Sequence, residues 1–168
     1  MNKVFFKYET ALKKISKSEE YPVYNQLVNS HKNIIILGNG GSSSIASHIC
    51  EDLTKILKKK AFTFSDPSLL TCYINDYGMH KAYVEFLKSF CDSNTLVILI
   101  SSSGSSQNII NSIKYLEKKK INYGLLTGFD IKNKANLISK NAKFKFHVRS
   151  QNYGVIECIH QIFLHAAI

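Results

Sequence analysis

Residues Ile34–Asp52 read IIILGNGGSSSIASHICED and constrain the fold more than any other stretch. The apolar run Ile34–Leu37 breaks into a glycine- and serine-dense turn, and a helix-periodic pattern begins at once. That predicts a buried strand, a tight loop and a helix N-terminus in direct succession. Exposed backbone N–H groups and the positive end of the helix dipole make such a junction a ready anion site. Leu96–Ile113, reading LVILISSSGSSQNIINSI, repeats the device about sixty residues later. Two copies predict a ligand held between two strand ends, one that carries a phosphate.

The rest of the chain follows the same rhythm. Strands are predicted at Ile34–Leu37, Ala61–Phe64, Leu96–Ile100, Asn122–Leu126 and Lys143–Val148. Helices are predicted at Ser42–Lys58, His80–Phe90, Ser106–Lys118, Ala135–Ser139 and Val155–Ala167. Asp66 or Ser68 suits the cap of a short helical segment, and Asn75-Asp76-Tyr77-Gly78 reads as a turn. Before the first strand, Val4–Ser16 has helical spacing at Val4, Phe5, Tyr8, Ala11, Leu12 and Ile15, and Val23–Ser30 predicts a second helix behind Pro22. Strands alternating with helices imply an α/β protein with a mostly parallel sheet covered on both faces. In such sheets ligands bind at strand carboxyl ends, where both serine/glycine loops fall.

The chain of 168 residues reads as one domain, 1–168, with N-terminal helices over 1–31 and an α/β core over 32–168. The N-terminal helices must bury their apolar stripes on the domain flank or on another subunit. No apolar run approaches the roughly 18 residues of a membrane span, and the N-terminus lacks a signal-peptide core. A cytoplasmic protein with no membrane partner is expected. The four cysteines show no metal spacing and read as small buried residues. A net charge of +10 fits an anionic ligand. It alone would also fit nucleic acid, but no helix joins basic residues with interleaved aromatics, so no nucleic-acid partner is expected. Lys58–Lys60 and Lys118–Lys120 close predicted helices, where cations complement the dipole.

The first loop, Gly38-Asn39-Gly40-Gly41-Ser42, begins like a dinucleotide fingerprint. Ser43 stands at the third glycine position, however, and no acidic residue ends the next strand. Neither loop contains the Gly-Lys-Ser/Thr element of a P-loop. A tight structural turn remains the alternative for the first loop. In the second, Ser101–Ser106 carries five hydroxyls and a glycine, more than the one serine an N-cap needs. Hydroxyls and backbone N–H groups together can surround a phosphate.

Titratable groups flank these loops. His48 and Asp52 are four apart on the helix leaving the first loop and share a face. Glu157 and His165 lie a little over two turns apart on the final apolar helix, near enough to one face to reach one pocket. Together they suit either a divalent metal site of N/O character, zinc among the ions it would hold, or an acid/base pair beside a carbonyl. His160 faces away and reads as structural or as part of a subunit contact.

From Asn33 onward the chain resembles the SIS (sugar isomerase) fold and, within it, the phosphoheptose isomerases. The resemblance rests on Gly38–Ser42, His48…Asp52-Leu53-Thr54, Asn75-Asp76 before Gly78, Ser101–Ser106 and the His160…His165 spacing. It implies a three-layer α-β-α sandwich with a mostly parallel five-stranded sheet. It implies that Ser101, Ser102, Ser103 and Ser106 grip a sugar phosphate, while Asn39, Gly40, Gly41, Ser42, Asn75, Asp76 and Glu157 contact the sugar. It also implies zinc at His48, Asp52, Glu157 and His165, with Asp52, Glu157 and His165 catalytic. The implied reaction turns sedoheptulose 7-phosphate into D-glycero-D-manno-heptose 7-phosphate for bacterial surface polysaccharide, in a homotetramer with sites between subunits. Three positions depart from the family pattern: Asp52 replaces a glutamate, Glu157 a common glutamine, and Gly154 a common acidic residue. Other proteins of the fold only sense sugar phosphates or serve as adaptors, one type assisting the bacterial replication initiator. The acid and histidine set favours the enzyme.

Overall fold

The computed structural model describes residues 3–15 and 17–168. Helices α1 (Lys3–Ile15) and α2 (Glu20–Ser30) precede β1 (Asn33–Gly38) and α3 (Gly41–Lys55). Then follow β2 (Lys60–Phe62), α4 (Pro67–Tyr77), α5 (Met79–Phe90), β3 (Thr95–Ser101) and α6 (Gln107–Lys119). The chain continues through β4 (Tyr123–Gly128), α7 (Lys134–Ile138), β5 (Phe144–Val148) and α8 (Tyr153–His165). The five strands form one parallel sheet, as the alternation predicts, and the structure sets their order as β2-β1-β3-β4-β5.

Period-two side-chain alternation splits the core into two layers. Ile34 and Ile36 of β1 and Leu96, Ile98 and Ile100 of β3 face α1, α2, α3 and α8. Ile35, Leu37, Val97 and Leu99 face α4, α5, α6 and α7. Continuous apolar runs are what a sheet buried on both faces requires. On the first face Phe163 stacks on Phe146 at 4.0 Å and on Tyr24 at 5.1 Å, fully buried. Phe163→Ala is expected to destabilise the protein by about 3–5 kcal/mol in denaturant titration, through lost burial and a cavity.

The structure moves several boundaries. Asn75, Asp76 and Tyr77 are not a turn; they form the last turn of α4. The chain reverses only at Gly78, whose φ of 76° lets α4 pass directly into α5. Asp66 is the cap of α4, its carboxylate accepting the Leu69 N–H at 2.8 Å. Helix α3 stops at Lys55, so Lys58–Lys60 lie beyond it, while Lys118 and Lys119 do close α6. Of the cysteines only Cys50 is buried; Cys72 and Cys158 are exposed. On α1, Tyr8, Ala11 and Ile15 pack on the core, but Phe5, Phe6 and Leu12 stay exposed. Ser16 and the side chain of Val4, part of the first predicted helix, lie outside the described residues. Among the described residues no helix is long and apolar enough to cross a membrane.

Candidate active site

From β1 the chain passes outward to β2 and then returns to β3 on the other side of β1. The loops after β1 and β3 therefore diverge at the switch point of the sheet and leave a crevice between them. A cleft of about 280 Å³ occupies it, lined by Asn39, Gly40, Gly41, Ser42, Ile100, Ser101, Ser102, Ser103, Ser106, Tyr153 and Glu157.

Serine hydroxyls dominate one wall. Ser101 and Ser102 are 4% and 6% exposed, and their Oγ atoms have no hydrogen-bond partner. A buried unpaired hydroxyl costs about 1–3 kcal/mol, so two side by side at a strand end mark a ligand-directed surface. Ser103 Oγ accepts from the Ser105 hydroxyl at 3.0 Å and keeps its own proton to donate. Ser106 occupies the N-cap of α6 without a side-chain capping bond, which leaves its hydroxyl free. The N-termini of α3 and α6 both open at this edge and favour negative charge.

Opposite them, α8 brings Glu157 against the first loop. A Cβ on Gly41 would sit 2.5 Å from Glu157 Oε1, so the absence of a side chain there is what admits the carboxylate. Asn39 ties the loops together. Its amide exchanges hydrogen bonds with that of Asn108 at 3.0 and 2.8 Å, and its Oδ1 accepts from the Tyr83 hydroxyl at 3.0 Å. Tyr83 also donates to the Gly38 carbonyl at 2.6 Å, and burial pushes its phenol up to about 12, so it remains a donor. Sequence reasoning missed Tyr83, Asn108 and Tyr153. Asn108, a polar residue on the apolar face of a predicted helix, carried a signal; the other two are aromatic residues among many.

The titratable residues separate into two groups. His48, Asp52 and His165 converge, each offering a ligand atom within 4.8 Å of the others. Asp52 Oδ2 lies 3.2 Å from His165 Nε2 and 3.6 Å from His48 Nε2. His165 Nδ1 lies 3.0 Å from the Gln161 carbonyl, an arrangement that places the proton of a neutral ring on Nδ1. Nε2 is then left to offer its lone pair on the side where Asp52 Oδ2 lies. Two imidazoles and one carboxylate brought together in this way form a donor set that can hold a divalent metal ion.

Glu157 does not join this triad. It precedes His165 by eight residues on α8, about 12 Å of rise, and Asp52 lies about 16 Å along α3 from Gly41. Asn75 and Asp76 stand exposed on α4, hydrogen-bonded to each other at 3.1 Å, and do not line the cleft.

His160 is fully buried, its Nε2 3.0 Å from the Thr127 carbonyl, a structural role. Burial pulls its imidazole down to about 4, and His147 is lowered for the same reason. His160 therefore stays neutral in the fold over a range in which the same ring in an unfolded chain takes up a proton, near pH 6.5. Stability is therefore expected to be flat above that pH and to fall as pH drops from about 6.5 toward about 4. Chemical denaturation across that range checks this, and His160→Gln should flatten the slope.

No family model matches the chain. A phosphoheptose isomerase of Buchnera aphidicola from Schizaphis graminum is 33% identical over 133 residues, covering 76% of this chain and 68% of that protein. A phosphoheptose isomerase of Buchnera aphidicola from Acyrthosiphon pisum is 35% identical over 108 residues, or 61% of this chain. That match spans only 56% of the relative, little more than half its length. The solved phosphoheptose isomerase of Neisseria gonorrhoeae superposes with a TM-score of 0.88 at 25% identity, over 97% of this chain and 92% of that one.

Proposed function

Since the chain belongs to the phosphoheptose isomerase family, we propose that it interconverts a ketose and an aldose phosphate, with sedoheptulose 7-phosphate as substrate and D-glycero-D-manno-heptose 7-phosphate as product. It would do so in the cytoplasm, supplying heptose for bacterial surface polysaccharide. The observation that carries this reading is the pair of buried, unpartnered hydroxyls on Ser101 and Ser102 at the switch point, in a cleft that Glu157 also lines.

In this reading Ser101, Ser102, Ser103 and Ser106 hold the phosphate of the open-chain sugar, aided by the N-terminus of α6. Gly40, Gly41 and Ser42 present backbone and hydroxyl groups to the chain carbons, while Asn39 keeps the two loops at fixed separation. A carboxylate, Asp52 or Glu157, takes the proton from the carbon beside the carbonyl. The electron pair moves into a carbon–carbon double bond, the carbonyl oxygen gains a proton and an enediol results. Returning the proton to the neighbouring carbon, with loss of the other hydroxyl proton, completes the shift. His165 carries protons between the oxygens. Zinc held by His48, Asp52 and His165, with Glu157 as a further ligand, would polarise the substrate oxygens.

The distance between the triad and the cleft supports a homo-oligomeric site, in a tetramer, where one copy brings His48, Asp52 and His165 to the Glu157 of another. Exposed Phe5, Phe6 and Leu12 on α1 are apolar surface available to such a contact. Asn75 and Asp76 would likewise serve a neighbouring copy. Turnover of sedoheptulose 7-phosphate, with and without added zinc, tests the proposal. Turnover of a different sugar phosphate alone would overturn the substrate. Tight binding without turnover of any phosphorylated sugar would establish a sensor or adaptor instead.

A further inference from the structure

Tyr153 lines the cleft but has no part in the scheme above. It begins α8, one turn before Glu157, so both side chains stand on the same wall. The residue is 57% exposed, and among the described residues its hydroxyl has no hydrogen-bond partner. An exposed tyrosine would ordinarily be free to rotate. This one is braced edge-on by Phe129, with centroids 4.7 Å apart and planes at 69°.

Phe129 is itself unusual. Its φ of 54° is left-handed, a conformation costing a bulky residue about 1–3 kcal/mol. Hydrogen bonds on both sides of it hold the turn in place. The Gly128 N–H donates to the Ser102 carbonyl at 2.9 Å, and Asn133 Nδ2 donates to the Asp130 carbonyl at 2.7 Å. The Ala135 N–H donates to the Gly104 carbonyl at 2.8 Å. The turn after β4 is thus bolted to the serine loop, and its strained phenylalanine fixes the tyrosine at the mouth of the cleft.

We propose that Tyr153 is a substrate-contacting residue, its ring covering the carbon chain of a bound sugar phosphate and its hydroxyl bonding a chain hydroxyl, with Phe129 as its positioning residue. This rests on the reading of the cleft as a sugar-phosphate site. Calorimetric titration with sedoheptulose 7-phosphate and, separately, inorganic phosphate tests it on the full chain. Tyr153→Phe is expected to weaken sugar-phosphate binding about three- to tenfold, and Tyr153→Ala by more than about tenfold. Affinity for inorganic phosphate should not change in either variant. Phe129→Ala should approach the loss of Tyr153→Ala, and the double variant should lose no more than Tyr153→Ala alone. Equal weakening for both ligands, or unchanged sugar-phosphate affinity in Tyr153→Ala, would overturn the assignment. If the wild type binds inorganic phosphate but no sugar phosphate, the functional reading itself fails, and the contact with it.

Discussion

Asp52→Asn is expected to lower turnover of sedoheptulose 7-phosphate by about a hundred- to ten-thousandfold, the range for loss of a positioned acid/base group. The substitution keeps the side-chain volume and removes the charge between His48 and His165. Its effect on stability should be small, below about 1 kcal/mol, because the triad is partly exposed and its ion pairs are screened. A large fall in kcat with an unchanged melting temperature therefore separates chemistry from folding. Asp52→Glu, which retains the carboxylate with one more methylene, should recover much of the lost rate. The same variant tests the assembly. Asp52→Asn and Glu157→Ala protomers, each inactive alone, should regain activity when unfolded and refolded together, since some sites then combine an intact triad with an intact Glu157. Wild-type turnover by Asp52→Asn would remove the residue from the mechanism. Absence of complementation would overturn the shared site.

The second large effect is expected at the serine loop, where binding and stability should move in opposite directions. Each hydroxyl given to a phosphate oxygen is a charge-assisted bond worth about 1.5–3 kcal/mol. Ser101→Ala combined with Ser102→Ala should therefore weaken substrate binding about a hundredfold or more, seen as a rise in KM. Without ligand the same variant should melt at an equal or higher temperature. It removes two buried hydroxyls that have no partner in the fold, and alanine leaves β3 and its neighbours undisturbed. Lost affinity accompanied by a lower melting temperature would show that the hydroxyls serve the fold.

Much of the architecture was legible because it follows from local chemistry. Buried parallel strands must be continuously apolar, and Ile34–Leu37 and Leu96–Ile100 are. Helix-starting loops that meet a ligand need small residues and hydroxyls, and Gly38–Ser42 and Ser101–Ser106 supply them. The Asn75–Gly78 stretch was misread because turn-forming residues are also tolerated in a final helical turn, and only Gly78 carries the left-handed angle. The cysteines were misread for a similar reason: a small sulfur-bearing side chain does not report which face of its helix is solvated.

The sequence by itself determined that strands and helices alternate, that two glycine- and serine-rich strand-to-helix junctions sit at strand ends, and that two acids and two histidines lie on the flanking helices. It could not determine which of those four meet. Glu157 and His165 share a helix, and periodicity says only that they point in similar directions. The tertiary structure decided the rest, because packing α8 beside α3 sets an axial offset that no local pattern encodes. It carried Glu157 to the glycine loop and His165 to Asp52, and it brought Asn108 and Tyr83 to Asn39 and Phe129 to Tyr153 across long separations in the chain. Local propensity reads neighbours along the backbone, whereas a site is assembled from neighbours in space.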